Sequence, residues 1–226
     1  MSPKPVLLLL HGALGDKRQL VPIKDYLSSV YDVHSLNFSG HGGESMPALF
    51  SIELFTENLM EYLEEYNLKN VKIFGYSMGG YVALNVARFT QRIGCIITYG
   101  TKFHWTPDSA QHEIKKLDPE KIRQKVPVFT ENLKKRHTPN NWGIVVEKTA
   151  KMMIDLGNSP TLTKENLSQI HIPVTILLGG KDNMVTQNES KEAASYLPNG
   201  QFKILPEQPH PIEGVDIKLI IESLSP

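Results

Sequence analysis

Cysteine is almost missing from this chain. A single thiol, Cys95, stands among 226 residues, so no intrachain disulfide can form. Its setting in Ile93-Gly94-Cys95-Ile96-Ile97 suits a buried structural thiol rather than a nucleophile. A surplus of charge is missing too: Lys+Arg and Asp+Glu number 24 each, which leaves no electrostatic footprint for nucleic acid or for a membrane surface. No apolar run approaches the roughly 18 residues of a membrane span. The run Val6-Leu7-Leu8-Leu9-Leu10 is short and meets His11-Gly12 instead of a small-residue cleavage site, so it reads as a buried strand and not as a signal peptide. The expected location is therefore the cytoplasm. There is no internal repeat and no low-complexity segment. With 40% hydrophobic and 21% charged residues, the composition is that of an ordinary globular protein, long enough for one large domain or one domain with an insertion.

Several chemistries are excluded by missing residues. His112-Glu113 has no second histidine four positions after the first, so the helical zinc-hydrolase pattern fails. Gly75 and Gly80 are spaced as in a phosphate-binding loop, but Tyr81 follows where lysine is required. Serine in place of aspartate at 77 argues against dehalogenase-type chemistry. Neither a metal nor a cofactor is expected.

Short apolar runs alternate with helical stretches, which predicts a doubly wound α/β fold with a mainly parallel sheet. The expected strands are Pro5–Leu10, Val33–Asn37, Val71–Phe74, Gly94–Tyr99, Val174–Leu178 and Phe202–Leu205, about six in all. Most are continuously apolar, as strands covered on both faces should be. Leu54–Tyr66 reads as an amphipathic helix with Leu54, Phe55, Leu59, Tyr62 and Leu63 on one stripe. Tyr81–Arg88 and Asp216–Leu224 read as two more helices. Between Tyr99 and Val174 no strand is legible, only helical patterns at Ser109–Leu117, Glu120–Arg136 and Trp142–Leu156. That predicts a small helical cap over residues 101–171, with a core formed by 1–100 and 172–226. The cap holds 12 of the 24 basic residues and 8 of the 24 acidic ones, so it is net basic, which for helices exposed to water is ordinarily a solvated face.

The segment richest in chemistry is Gly75-Tyr76-Ser77-Met78-Gly79-Gly80, directly after the strand Val71–Phe74. A G-x-S-x-G pattern at a strand-to-helix junction forces the serine onto a sharp turn that exposes its hydroxyl above the sheet. Glycines at 75 and 79 avoid the crowding that a Cβ would bring as the chain reverses. A serine hydroxyl needs a base, and the base needs a group that holds its tautomer. Asp182 follows Val174–Leu178 in Gly179-Gly180-Lys181-Asp182-Asn183-Met184-Val185. His210 follows Phe202–Leu205 in Gln208-Pro209-His210-Pro211. Both fall at the carboxyl edge of the sheet, where open α/β sheets bind ligands. Asp108, just past the fourth strand, is a rival acid. The loop His11-Gly12-Ala13-Leu14-Gly15 follows the first strand, and its Ala13 N–H, with the N–H of Met78, can face an oxyanion.

These four segments together resemble the α/β-hydrolase superfamily, from Pro5 to the C-terminus. Ser39-Gly40-His41-Gly42 is also similar to that family's G-H-G turn, although the family's usual antiparallel strands before the oxyanion loop have no counterpart in this sequence. The resemblance implies Ser77 as nucleophile, Asp182 as acid and His210 as base, with Ala13 and Met78 as oxyanion donors. Gly12, Leu14, Tyr76, His104 and Trp105 are candidate substrate contacts, with packing at the entry to the cap the alternative role for His104. Phe103, Phe129, Trp142, Met152 and Met153 offer apolar surface to a pocket or to the cap's own core. His11 and His41 are best explained as turn residues bonding backbone. The expected activity is that of a serine esterase or thioesterase acting on a small-molecule substrate. Two alternatives use the same fold. One is C–C cleavage or elimination, as in the similar lyase-type members of menaquinone biosynthesis; the other is a ligand-sensing receptor.

Overall fold

A strand apolar at every position is stable only when both of its faces are covered. In the computed structural model, which describes residues 3–224, β1 (Val6–Leu10) meets that condition. Leu8 and Leu10 belong to one buried cluster and Leu7 and Leu9 to another on the opposite face. Each fully buried leucine contributes roughly 1.5–3 kcal/mol relative to exposure. The same division runs through β3 (Val71–Tyr76), β4 (Ile93–Tyr99) and β5 (Val174–Gly179): Ile73, Ile96 and Ile176 face one way, Phe74, Ile97 and Leu177 the other. With β2 (Asp32–Leu36) and β6 (Gly200–Leu205) at the margins, the sheet order is β2-β1-β3-β4-β5-β6. Every adjacent pair is parallel.

Helices cover both faces. On one side lie α1 (Val21–Leu27) and the last helix, α10 (Ile217–Leu224), which bury Ile23, Leu27, Ile220, Ile221 and Leu224. On the other lie α2 (Ile52–Glu65), α3 (Met78–Val86) and α9 (Gln187–Tyr196). Ser51 caps α2 by accepting the Leu54 N–H at 3.1 Å, and Phe55, Leu59 and Leu63 form its buried stripe. All nine residues of α3 are buried, because it is packed between the sheet and α2. It begins directly after Ser77, three residues before the expected Tyr81. Cys95 is half-buried on β4, less enclosed than its apolar neighbours suggested.

Between β4 and β5 the chain makes α4 (Pro107–Ile114), α5 (Pro119–Lys125), α6 (Pro127–His137), α7 (Trp142–Asn158) and the short α8 (Lys164–Leu167). The single helix expected over Glu120–Arg136 is two. Pro127 lacks an N–H and drives the residue before it out of the α region, and Val126 accordingly sits at φ −136°, ψ 64°. Val145, Val146, Met152 and Leu156 of α7 join the same cluster as α2 and α3, so this segment is packed onto the sheet layer through shared apolar side chains. Phe129 points outward and Trp142 only flanks that cluster. Glu189 on α9 anchors the start of the segment by accepting the Phe103 and His104 N–H groups.

The strands end close to level at one edge: Leu10 pairs with Gly75, Tyr76 with Tyr99, Tyr99 with Leu177, and Gly179 with Leu205. The chain leaves β1 for β2 on one side and returns to β3 on the other. That reversal opens the crevice in which doubly wound sheets bind ligands. Close packing at the crevice is tight: a Cβ on Gly79 would stand 2.5 Å from the Leu10 carbonyl oxygen and 2.7 Å from that of His11. Both contacts are with backbone that cannot swing aside. Gly79→Ala is therefore expected to destabilise the fold by about 2–3 kcal/mol or more, read as a lower urea midpoint with an unchanged slope.

Candidate active site

Ser77 occupies the junction of β3 and α3 at φ 51°, ψ −115°, a region that L-residues visit only when the surroundings hold them there. Its N–H donates to the Tyr99 carbonyl at 2.8 Å, and its own carbonyl accepts from Thr101 Oγ1 at 2.9 Å and from the Gly80 N–H at 3.0 Å. The loop after β1 runs alongside. A Cβ on Gly12 would sit 3.2 Å from Ser77 Cβ and 2.8 Å from the Tyr76 ring. Met78 is the first residue of α3, and the N–H groups of a helix's first turn have no partner within the helix.

Two loops at the same edge bring an acid and a base together. The side chain of Asp182 is wholly buried, and its Oδ1 accepts the N–H groups of Met184 and Val185 at 2.8 and 2.9 Å. Its Oδ2 lies 2.7 Å from Nδ1 of His210. A carboxylate there holds the histidine in the Nδ1–H tautomer and leaves Nε2 free to take a proton. Behind the ring, the Tyr99 hydroxyl donates to the Pro209 carbonyl, and the Tyr76 ring is 5.7 Å from the imidazole. Asp108 is exposed on α4, and the carboxylate that reaches His210 is that of Asp182.

A cavity of about 40 Å³ adjoins Ser77. Ala13, Met78 and Trp105 line it, together with Tyr81, Met152, Met153 and Leu156. Leu14 and Tyr76 do not reach it, because both are packed into the clusters on the two faces of the sheet. His104 is exposed and lies in a separate depression with Glu189 and Tyr196. One charged residue, Lys102, also lines the cavity, with its ammonium 3.5 Å from the buried Glu113. Lys102 and Ile52 were not expected there. Neither carries a sequence signal, since what places them is the tertiary path of the chain.

Beneath the loop after β1 lie three buried histidines. His11 Nδ1 donates to the Gly12 carbonyl at 2.8 Å, while its Nε2 accepts the Phe38 N–H at 3.2 Å. His41 donates from Nδ1 to the Ser39 carbonyl at 3.1 Å and stacks on Phe50. His137, from the end of α6, accepts the Gly42 N–H through Nδ1 and donates through Nε2 to the Leu14 carbonyl, both at 3.2 Å. The rings form a chain with centroids 5.3 and 5.7 Å apart. Burial lowers His11 and His137 to about 4 and pushes His41 well below its ordinary value. All three are neutral in the fold.

A six-stranded parallel sheet wrapped in helices, with a strained serine at its carboxyl edge, defines the α/β-hydrolase class. The family model for the alpha/beta hydrolase fold matches residues 5–151, and the chain belongs to that family. Among curated relatives, the chloroplastic protein PHYLLO of Arabidopsis thaliana is 29% identical over 210 residues, covering 78% of this chain and 12% of that protein. The 2-succinyl-6-hydroxy-2,4-cyclohexadiene-1-carboxylate synthase of Klebsiella pneumoniae (strain 342) is 34% identical over 86 residues, or 38% of this chain and 34% of that enzyme. The matches thus span only a minor part of these relatives' lengths. Among solved structures, a thermophilic esterase from Thermogutta terrifontis superposes with a TM-score of 0.77 at 21% identity, covering 98% of this chain and 90% of its own. That likeness is one of fold.

Neutral buried histidines make folding proton-linked. An unfolded histidine titrates near 6.5, so as pH falls from 6.5 toward 4 the unfolded chain takes up protons that the folded one refuses, and stability falls across that window. Above 6.5 the contribution is complete. Calorimetry at pH 5.5 in buffers of different ionisation enthalpy is expected to show uptake of about three protons on unfolding.

Proposed function

We propose that this protein is a serine hydrolase that cleaves a small to medium ester or thioester through an acyl-enzyme on Ser77. The observation that carries this reading is the buried His210–Asp182 hydrogen bond of 2.7 Å, at the same sheet edge as the strained serine. Ser77 Oγ attacks the substrate carbonyl while His210 Nε2 takes its proton, and Asp182 stabilises the imidazolium so formed. The Met78 and Ala13 N–H groups stabilise the oxyanion; loss of one such donor typically lowers kcat by about 10²–10³. Collapse of the tetrahedral intermediate expels the leaving group, which receives the proton from His210. Water activated by the same histidine then releases the acid.

The lining of the cavity supports an apolar acyl group. At about 40 Å³ it is far below the roughly 300 Å³ at which ligand pockets begin. Met152, Met153 and Trp105 must therefore yield as the substrate enters. Methionine suits that task, since its unbranched side chain repacks readily. The substrate is a small molecule.

A second reading, elimination or C–C cleavage with the Ser77–His210 pair acting as a base, is favoured by the match to the Klebsiella synthase. The two differ in whether an acyl-enzyme forms. The first measurement is intact mass after a fluorophosphonate probe and after a rapidly quenched p-nitrophenyl ester. One adduct per chain with each reagent, absent from Ser77→Ala, is expected, together with a loss of turnover of about 10⁴-fold or more in that variant. Wild-type kcat in Ser77→Ala would overturn the mechanism. Turnover of a substrate without a trappable acyl adduct would favour the base-only reading.

A further inference from the structure

Ala13 and Leu14 are the two central residues of a turn closed by the Gly15 N–H on the Gly12 carbonyl at 3.0 Å. Leu14 sits at φ 57°, a left-handed conformation that a branched, non-glycine residue adopts only at a penalty of about 1–2 kcal/mol. No glycine relieves it, so something outside the turn must hold the peptide in place.

The holder comes from the helical segment between β4 and β5. Arg136 Nη1 donates to the Leu14 carbonyl at 2.9 Å, and His137 Nε2 donates to the same oxygen at 3.2 Å. Arg136 Nη2 meanwhile lies 3.3 Å from Glu213 Oε1, in the short helical turn Ile212–Gly214 that begins two residues past His210. Glu213 is held from the other side by Gln19 Nε2 at 2.7 Å. The end of α6 is itself secured: Arg18 donates to the Arg136 carbonyl at 2.6 Å, and the Gly42 N–H donates to His137. The Arg136 side chain is only 18% exposed. A guanidinium serves two acceptors through one rigid planar fork, whereas an ammonium on a flexible stem holds no such fixed geometry.

We propose that Arg136, assisted by His137, is a positioning residue that ties the Ala13 loop and the His210 loop into one register. Arg136 is not part of the lining of the cavity beside Ser77. It acts through Leu14 and Glu213, so the end of α6 governs how the oxyanion donor and the base face each other. This rests on the roles given above to Ala13 and His210.

The test compares wild type with Arg136→Met, Arg136→Lys and His137→Gln, and uses Lys134→Met as a control that removes a cation from the same helix without touching either loop. Amide exchange is read at residues 12–16 and 212–215. Both stretches are expected to exchange at least about tenfold faster in Arg136→Met, and only partly so in Arg136→Lys. His137→Gln, which retains an amide donor for Leu14, is expected to stay near wild type. Kinetically, kcat for an ester should fall about 10- to 100-fold in Arg136→Met, with KM changed less than about threefold. Affinity for a trifluoromethyl ketone is expected to fall in parallel. In that adduct Ser77 Oγ bonds to the ketone carbon, the proton passes to His210, and the former carbonyl oxygen becomes the oxyanion. Unchanged exchange in either loop, or wild-type kcat and ketone affinity alongside a lowered Tm, would overturn the proposal. A wild type inert to the ketone would instead reject the acyl-transfer reading, and the exchange data alone would then decide whether Arg136 couples the two loops.

Discussion

The arrangement depends on holding one residue where it does not want to be. Ser77 at φ 51°, ψ −115° carries strain of about 1–3 kcal/mol, and an isolated strand-turn-helix would release it. Three features prevent that. Tyr99 on the neighbouring strand accepts its N–H, Thr101 just beyond that strand donates to its carbonyl, and α3 is buried so closely against the ends of β1 and β3 that the turn has no room to open. The parallel register makes this work. Because β3 and β4 end level, the backbone groups of one strand end meet those of the next, and the serine hydroxyl is left facing the crevice between β1 and β3.

From that constraint the other parts follow. Asp182 and His210 stand at the same edge because β5 and β6 run parallel to β4 and end level with each other just past its end, and the carboxylate is committed to His210 by two backbone N–H groups on its other oxygen. The loop after β1 is pressed against Ser77 by the shortness of Gly12. It cannot stabilise its own left-handed Leu14, and it borrows two donors from α6. The segment between β4 and β5 thus does more than roof the cavity. Its apolar face is continuous with the core through Val145, Val146, Met152 and Leu156, while its polar end reaches the loop after β1 and the helical turn after His210. The three buried histidines are the accompanying liability: His11 and His137 each accept a backbone N–H and must stay neutral to do so, while burial above all keeps His41 neutral.

Much of this was legible without coordinates, for local physical reasons. Continuously apolar runs such as Leu7–Leu10 can only be covered strands, and glycines at 75 and 79 around a serine after such a run mark a turn that little else explains. One departure is itself local: the expected helix Glu120–Arg136 is two because Pro127 expels Val126 from the α region. The others arise where neighbours in space overrule neighbours in sequence. His104 and Trp105 are adjacent in sequence, yet one faces solvent and the other the cavity. Phe129, apolar and at helical spacing, is exposed, because the helix that carries it turns its other face to the core.

By itself the amino-acid order determined the strand-and-helix alternation, the elbow at Ser77, and the succession of serine, acid and histidine after the third, fifth and sixth strands. Those are matters of periodicity, of turn chemistry and of which residue can follow a strand. Only the tertiary structure decided that Asp182 and not Asp108 meets His210, that Lys102 and Ile52 join the cavity, and that Arg136 spans from Leu14 to Glu213. These pairings join residues up to 122 positions apart, and no local rule reaches that far. They are settled when the sheet closes and its loops compete for the same few square ångströms above the strand ends.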